Sequence, residues 1–314
     1  MTVGGVLGVA DTYEACRTGA VARRATCDVV RVVGPDALSY LQSQCTQDVA
    51  ALAVGASAYS LLLSPQGHVE AFVRVVRVEP EELVVVVAAG FGDAVVERLR
   101  RFKLRVKAEL VRDTWPLVEV RGPDARSEAA RGAGTGVVAS LDVDWPGATG
   151  VDLVGPGASV PGEVPVGDDR AFEAVRVESG EPVMGAEIAG RTIAQEAGLV
   201  ERSVSLTKGC YPGQELVARV DSRGDNVPRR LRGIVVADGA APSEERAVLP
   251  GASVVVAGEP LGTVTSAAWS PGRGRTVALS YVHRRAVPPV EATVEGKAGE
   301  LLRCTVVELP LVVG

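Results

Sequence analysis

A thiol, an ammonium and two glycines fall within six residues at Lys208-Gly209-Cys210-Tyr211-Pro212-Gly213, followed by Gln214 and Glu215. Gly takes positive φ at little steric cost and Pro presets φ, so this stretch reads as a tight turn with exposed backbone. Residues 216–220 form a short apolar run that can open a helix after Gly213. Cys210 then lies just ahead of a helix N-terminus with Lys208 two residues back, and both features favour thiolate over thiol. A reactive sulfur is one expectation. A buried, inert cysteine in a packed turn is the other, because free Cys is among the most buried residue types. Tyr211 can stack on a flat ring or simply fill space, and Gln214 and Glu215 can cap the helix start.

Carboxylates supply the second group of candidates. Glu178 sits in Arg176-Val177-Glu178-Ser179-Gly180, ahead of an acidic turn. Left alone, such a glutamate is usually solvated. The run Gly67-His68-Val69-Glu70-Ala71 offers an acid and an isolated histidine, for which a solvated hairpin-tip side chain is the plain reading. Arg219 and Arg223 could meet an anionic tail, and in this arginine-rich chain they are weak signals.

These residues need elements to hold them. Residues 1–20 are weakly patterned, and 20–33 pass from a possible short helix into a strand at 29–33. Gly34-Pro35-Asp36 then breaks the chain, with Asp36 as N-cap of a helix over 37–45. A hairpin follows, with strands 57–64 and 68–78 around Pro65-Gln66-Gly67. A valine run at 83–88 reads as a strand buried on both faces. A helix over 92–102 and a strand over 106–111 complete an order expected of a ferredoxin-like α+β unit. A strand over 115–120, then Gly122-Pro123-Asp124 and a helix over 125–131, echo the first half and suggest a second such unit. Beyond a polar linker at 221–228, six short strands without a helix predict a small antiparallel barrel: 231–236, 253–256, 262–267, 276–282, 290–295 and 302–307.

Length and composition bound the rest. A chain of 314 residues supports two or three domains, and 46% apolar with 23% charged residues is ordinary globular composition. A net charge of -6 argues against a general nucleic-acid or membrane-surface binder. The five cysteines are odd in number and lack CxxC spacing, and the two histidines are isolated, which disfavours a disulfide framework or a metal site. No leader and no 18-residue apolar stretch is present, so a soluble, cytoplasmic protein is expected.

Lys208–Glu215, with Gln195-Glu196-Ala197-Gly198-Leu199 before it and Ala218-Arg219 after it, resembles the signature of the YgfZ family. These are folate-binding proteins related to the glycine cleavage T protein, an aminomethyltransferase. Val33-Gly34-Pro35-Asp36-Ala37 with Leu41, Thr46, Gln47 and Asp48 resembles the N-terminal half of T proteins, as does the turn Ser64-Pro65-Gln66-Gly67. Arg176–Gly180 resembles their R-[LV]-E-x-G motif, whose glutamate holds the pteridine of tetrahydrofolate. The resemblance implies an α+β fold with two ferredoxin-like folate-binding subdomains, one of residues 1–32 and 113–225 and one of 33–112. A C-terminal barrel of residues 226–314 completes it.

The resemblance further implies tetrahydrofolate or a derivative as cofactor, with Glu178, Lys208, Tyr211, Arg176 and Gln214 around it and Cys210 with Lys208 as the reactive pair. It implies a role in assembling or repairing iron–sulfur clusters of client enzymes, including those that modify tRNA; direct nucleic-acid binding is not expected, and the sequence leaves the oligomeric state open, with a monomer favoured. T proteins carry an acid pair after the hairpin glycine, where this chain reads Glu70-Ala71, so aminomethyl transfer is not expected. A transferase using a displaced acid and a scaffold with a vestigial pocket are the alternatives. The folate reading expects Glu178, Lys208 and Cys210 to converge on one cavity.

Overall fold

The computed structural model describes residues 6–132, 134–222, 226–237 and 247–311. Two long antiparallel strands form its spine. β1 (Val21–Val33) pairs with β5 (Glu109–Arg121) along all thirteen residues, from Val21 opposite Arg121 to Val33 opposite Glu109. The strands expected separately at 106–111 and 115–120 are therefore one. The polar residues between them do not break it, because Thr114 donates to Asp28 of β1 at 2.7 Å and Asp113 accepts from Trp115 Nε1 at 2.8 Å. The helix considered at the start of 20–33 is likewise strand from Val21 onward.

The outer strands add to this ribbon. β2 (Ser57–Leu63), β3 (Val69–Glu79) and β4 (Glu82–Ala88) extend one side, and β6 (Ala139–Trp145) and β7 (Ala148–Val154) extend the other. The result is one seven-stranded antiparallel sheet in the order β2-β3-β4-β1-β5-β7-β6. Positions 32 and 113 lie inside β1 and β5, so the two α+β halves share their central strands. In β4 the valine run is buried on both faces, as expected of a strand covered by helices on one side.

The repeated Gly-Pro-Asp turns occupy equivalent places. Gly34 follows β1 and leads into α2 (Ala37–Gln44), and Gly122 follows β5 and leads into α4 (Ala125–Gly132). Both glycines have positive φ, +139° and +116°, and in both the next aspartate N–H bonds the carbonyl of the residue entering the partner strand, Lys107 or Gly19. Asp36 does not cap α2 with its side chain; its carboxylate accepts from the Lys107 N–H at 2.7 Å. α2 and α3 (Gly92–Arg101) cover the first half of the sheet with a core of Leu41, Leu62, Val85 and Leu99. α4 covers part of the second half, over Val118, Val120 and Leu153.

A helix not expected from the sequence, α1 (Val9–Thr18), precedes β1 and lies against α5 (Asp169–Ser179). Asp168 caps α5 by accepting from the Arg170 N–H, and Gly180 ends it at φ +76°. Short helices α6 (Val200–Ser203) and α7 (Gln214–Asp221) flank the signature turn.

The C-terminal strands are β8 (Arg229–Val236), β9 (Ser253–Val256), β10 (Glu259–Ser270), β11 (Arg275–His283), β12 (Val290–Glu295) and β13 (Leu301–Val307). They close a six-stranded barrel ordered β10-β11-β8-β13-β12-β9, each within a few residues of its expected span. Leu231, Val277, Leu279 and Tyr281 of the barrel share one core with Ala171, Phe172 and Val175 of α5. Among the described residues no helix is long and apolar enough to cross a membrane.

The signature turn is held against the β2–β3 hairpin by glycines. Gly213 has φ +82°, and a Cβ there would meet the Ser64 carbonyl oxygen at 2.5 Å and Gly67 Cα at 3.0 Å. A Gly213→Ala substitution is expected to cost about 2 kcal/mol or more, from left-handed backbone strain alone plus the clash. Gly209→Ala, where nothing lies within 4 Å and φ is not positive, serves as the control. Thermal melts should separate the two by several degrees; equal melting temperatures would show that the turn does not depend on this contact.

Candidate functional site

The lysine of the signature points away from its cysteine. Lys208 Nζ donates to the carbonyls of Gln42, Cys45 and Gln47 at 2.5, 2.7 and 3.0 Å, at and beyond the C-terminal end of α2. Carbonyls in the last turn of a helix lack intrahelical donors, and a cation there also complements the dipole; the Gln47 carbonyl additionally accepts from the Val49 N–H at 3.0 Å. All three ammonium donors are thus used. Burial draws the group below the ordinary lysine range, with Cys45 and Asp48 opposing. Cys210 is exposed, whereas Cys16, Cys27, Cys45 and Cys304 are buried. Tyr211 is buried in the main core, with Lys208 Nζ 5.5 Å from its ring centroid. Gln214 turns back and accepts from the Tyr211 N–H at 3.2 Å, a cap of the turn before α7. Arg219 is exposed, and Arg223 lies outside the described residues.

Glu178 is 1% exposed at the end of α5. Its Oε2 accepts from Tyr13 at 2.8 Å and from Arg17, and its Oε1 accepts from Ser270 of β10 and again from Tyr13 at 3.2 Å. A carboxylate has about four acceptor directions, and three donors occupy them here, the single Tyr13 hydrogen being shared between both oxygens. The Tyr13 hydroxyl, buried beside this charge, is pushed above its ordinary range, first by burial and then by Glu178. Nearby, Glu187 repeats the device. It pairs with Arg176 at 3.2 Å and accepts from Ser266 of β10 at 2.6 Å, while Tyr281 of β11 donates to its main-chain carbonyl at 2.9 Å. Arg176 is further held by Glu173 at 2.7 Å.

Glu70 is re-aimed by a bulge. Leu62 pairs with Ala71 and Leu63 with Val69, which leaves Glu70 out of the ladder. Its carboxylate meets Arg98 of α3 at 2.7 Å and Arg101 at 3.5 Å. The Arg98 guanidinium is buried and also donates to the Leu63 carbonyl and Gln44. His68 is half-buried rather than solvated, bridging by backbone to Ile193 and lining a cavity of about 440 Å³ beside Glu70.

A larger cavity of about 880 Å³ lies where the sheet, the segment 195–202, the barrel and residues 308–310 meet. That volume suits a drug-sized ligand. Its aromatic wall is Tyr59 of β2 and Trp145 of β6, with ring centroids 6.3 Å apart, and Tyr59 is stacked on Phe72 at 5.2 Å. Arg74 lies over the Tyr59 ring at 4.2 Å and Arg202 over the Trp145 ring at 4.1 Å. Arg230, Arg232 and Glu308 line its barrel side. Gln195 is 3% exposed on this wall; its Nε2 donates to the Val217 carbonyl at 3.1 Å, and its Oε1 has no partner among the described residues. Trp145 Nε1 is also buried beside the Tyr59 hydroxyl and makes no hydrogen bond of good geometry among the described residues. Buried polar atoms left unpaired are costly, so a ligand offering a donor fits here.

Glu178, Lys208 and Cys210 do not meet in this cavity. Ser179 and Gly180 line it, while the Glu178 carboxylate is sealed under Tyr13, Arg17 and Ser270 and Lys208 is spent on α2. The expected convergence fails because burial satisfied these two charges with protein partners. Sequence reading missed Tyr13 and Arg17, although Val9, Tyr13 and Cys16 recur at helical spacing. It also missed Tyr59 and Arg74, which face each other across β2 and β3 only once the register is known. Glu181, one residue past Gly180, is partly buried near Arg121, Asp152 and Glu119. Burial pushes its carboxyl up to about 7, with Asp152 and Glu119 adding to the rise and Arg121 and Arg176 opposing it.

Comparisons with known proteins bear on the same regions. The family model described as the GCVT N-terminal domain matches residues 8–137, and that of the glycine cleavage T-protein C-terminal barrel domain matches residues 229–312. An aminomethyltransferase of Streptomyces avermitilis is 28% identical over 300 residues, covering 84% of this chain and 78% of that protein. The tRNA-modifying protein YgfZ of Pectobacterium carotovorum is 25% identical over 225 residues, covering 62% and 64%. Among solved structures, the aminomethyltransferase T of the Bartonella henselae glycine cleavage system superposes with a TM-score of 0.79 at 21% identity. It covers 99% of this chain and 91% of that one, a likeness of fold.

Lys208→Met keeps the apolar stem and removes the charge-assisted donors. It is expected to cost about 1–3 kcal/mol, read as a lower melting temperature. An unchanged melt would show that the α2 carbonyls do not need it. Glu181 makes stability fall with pH. Unfolded, it loses its proton near 4.5, while folded it holds the proton to about 7, so its stabilising proton is lost as pH rises between those values. Glu181→Gln should flatten the melting-temperature profile between pH 5 and 8 and raise it by a few degrees at pH 8. Parallel wild-type and variant profiles would refute this.

Proposed function

This chain belongs to the glycine cleavage T-protein family, in its YgfZ-like branch, and from that premise we propose that it binds a reduced folate in the 880 Å³ cavity. We propose further that it serves iron–sulfur enzymes, tRNA-modifying enzymes among them. The observation that carries the reading is the cavity wall, where the edge-to-face pair Tyr59 and Trp145, overlaid by the Arg74 and Arg202 guanidinium planes, stands beside Gln195, whose buried Oε1 has no partner among the described residues. A pterin presents a flat π-face with adjacent ring N–H, amino and carbonyl groups, which matches such a wall. Arg74, Arg202 and Arg232 line this wall, Arg202 paired with Asp144 and Arg232 with Glu308 at 2.7 Å, and in this reading the tail carboxylates exchange for those acids.

Bound, a reduced folate would supply a one-carbon unit or reducing equivalents. The chain's own residues orient it and exclude water. Glu178 contributes by fastening α1 and the barrel around the cavity, since its acceptors are already filled. Cys210 is the exposed sulfur of the signature turn, and in this reading it meets the client rather than the pterin. The pairing of Glu70 with Arg98 and the alanine at position 71 supply no free acid for aminomethyl transfer.

Isothermal titration of the purified chain with tetrahydrofolate and 5-formyltetrahydrofolate is expected to give micromolar binding. Tyr59→Ala and Gln195→Leu should each weaken it about tenfold, the size of 1.4 kcal/mol. Cys210→Ala should leave affinity unchanged and abolish the support of iron–sulfur enzyme activity in cells. Absence of heat with both folates would sink the folate reading; full activity of the Cys210→Ala strain would sink the role given to the sulfur.

A further inference from the structure

The ten residues 98–107, Arg-Leu-Arg-Arg-Phe-Lys-Leu-Arg-Val-Lys, carry six cations and no acid. Subtracting them from the chain's net -6 leaves -12 on the other 304 residues. Such asymmetry concentrates self-repulsion in one place and points to a charged partner. Two of the six cations are accounted for. Arg98 is buried on Glu70, Gln44 and Leu63, and Arg101 shares Glu70 and Glu97. Complementing the α3 dipole explains cations in the last turn, and not those beyond it.

Arg100 belongs to that last turn, and Lys103, Arg105 and Lys107 lie beyond it. Lys103 gives one hydrogen bond, to the Val106 carbonyl at 3.2 Å; the side chains of the other three have no ion pair or hydrogen bond among the described residues. Arg100, Lys103 and Lys107 line a groove of about 640 Å³ whose other walls include Val33, Pro35, Val106 and Leu110, with Glu109 as its acid. Beside it Leu104 is 82% exposed, and Arg105 holds φ +55°. A non-glycine residue in that region is strained, and such strain is kept where surroundings or function require it.

The geometry points to this groove as a docking surface for an acidic segment of a partner protein, with an apolar side chain of the partner seated on the groove floor and Leu104 entering a recess opposite. Cations ringing apolar contacts are the anatomy of a steered protein interface. Single-stranded RNA fits less well, because its recognition uses exposed aromatic rings, and the aromatic residue here, Phe102, is stacked under Arg98 at 4.3 Å. The surface is independent of the folate cavity.

Fluorescence anisotropy tests it with the full chain and two labelled probes. One is a twelve-residue Glu/Asp peptide with a central Leu-Phe pair, the other a twelve-nucleotide oligouridylate. The peptide should bind, more weakly as salt rises from 50 to 200 mM. The triple variant Arg100→Glu, Lys103→Glu, Lys107→Glu should lose at least tenfold, and Leu104→Ser about threefold, with melting temperatures confirming that both fold. Failure of the peptide to bind, binding unaffected by the triple variant, or oligouridylate binding tenfold tighter than the peptide would each overturn the proposal.

Discussion

The molecule depends on keeping two carboxylates ionically satisfied out of water. An unpaired charge in the interior costs several kcal/mol, so Glu178 and Glu187 must recruit donors from whatever surrounds them. Both recruit from a helix and from the barrel at once. Glu178 joins the end of α5 to α1 through Tyr13 and Arg17 and to the barrel through Ser270. Glu187 joins the same segment to Arg176 and to Ser266 of β10. Removing one partner leaves a buried charge unmatched, so α1, α5 and the barrel are tied by interactions that fail together.

That constraint explains how a motif can be read correctly and its residue misplaced. The spacing Arg176–Gly180 located a special glutamate, but hydrogen bonding from α1 decides what the glutamate touches, and α1 lies in a stretch with weak apolar patterning. Lys208 is a parallel case. Its place beside Cys210 in sequence suggested one electrostatic partnership, whereas three carbonyls at and beyond the end of α2 form a stronger one. Local order was legible because period and turn chemistry are local. The six barrel strands, the hairpin at Pro65-Gln66-Gly67, the repeated Gly-Pro-Asp turns and the valine strand β4 all follow from neighbours in sequence. What escaped were long-range matters: the single ribbon of β1 and β5, the bulge at Glu70, and the aromatic wall drawn from β2 and β6.

Function shows the same division. The signature turn and the resemblance it carries are short-range, and the family domains match at both ends of the chain. The cavity is assembled from residues 57 to 310 and has no counterpart in any one stretch. Gln195 Oε1, without a partner among the described residues, becomes visible only after every internal donor and acceptor has been matched.

The thirteen-residue pairing of β1 with β5 also bears on biosynthesis. A ribosome delivers β1 long before β5, since 75 residues separate Val33 from Glu109. Until then β1 can pair with β4 on one edge while the other stays open, valine-rich and ready to template a stranger. The nascent chain therefore passes through a stage with a sticky unpaired border, and closing it is the arrival of β5 rather than anything in the first half alone.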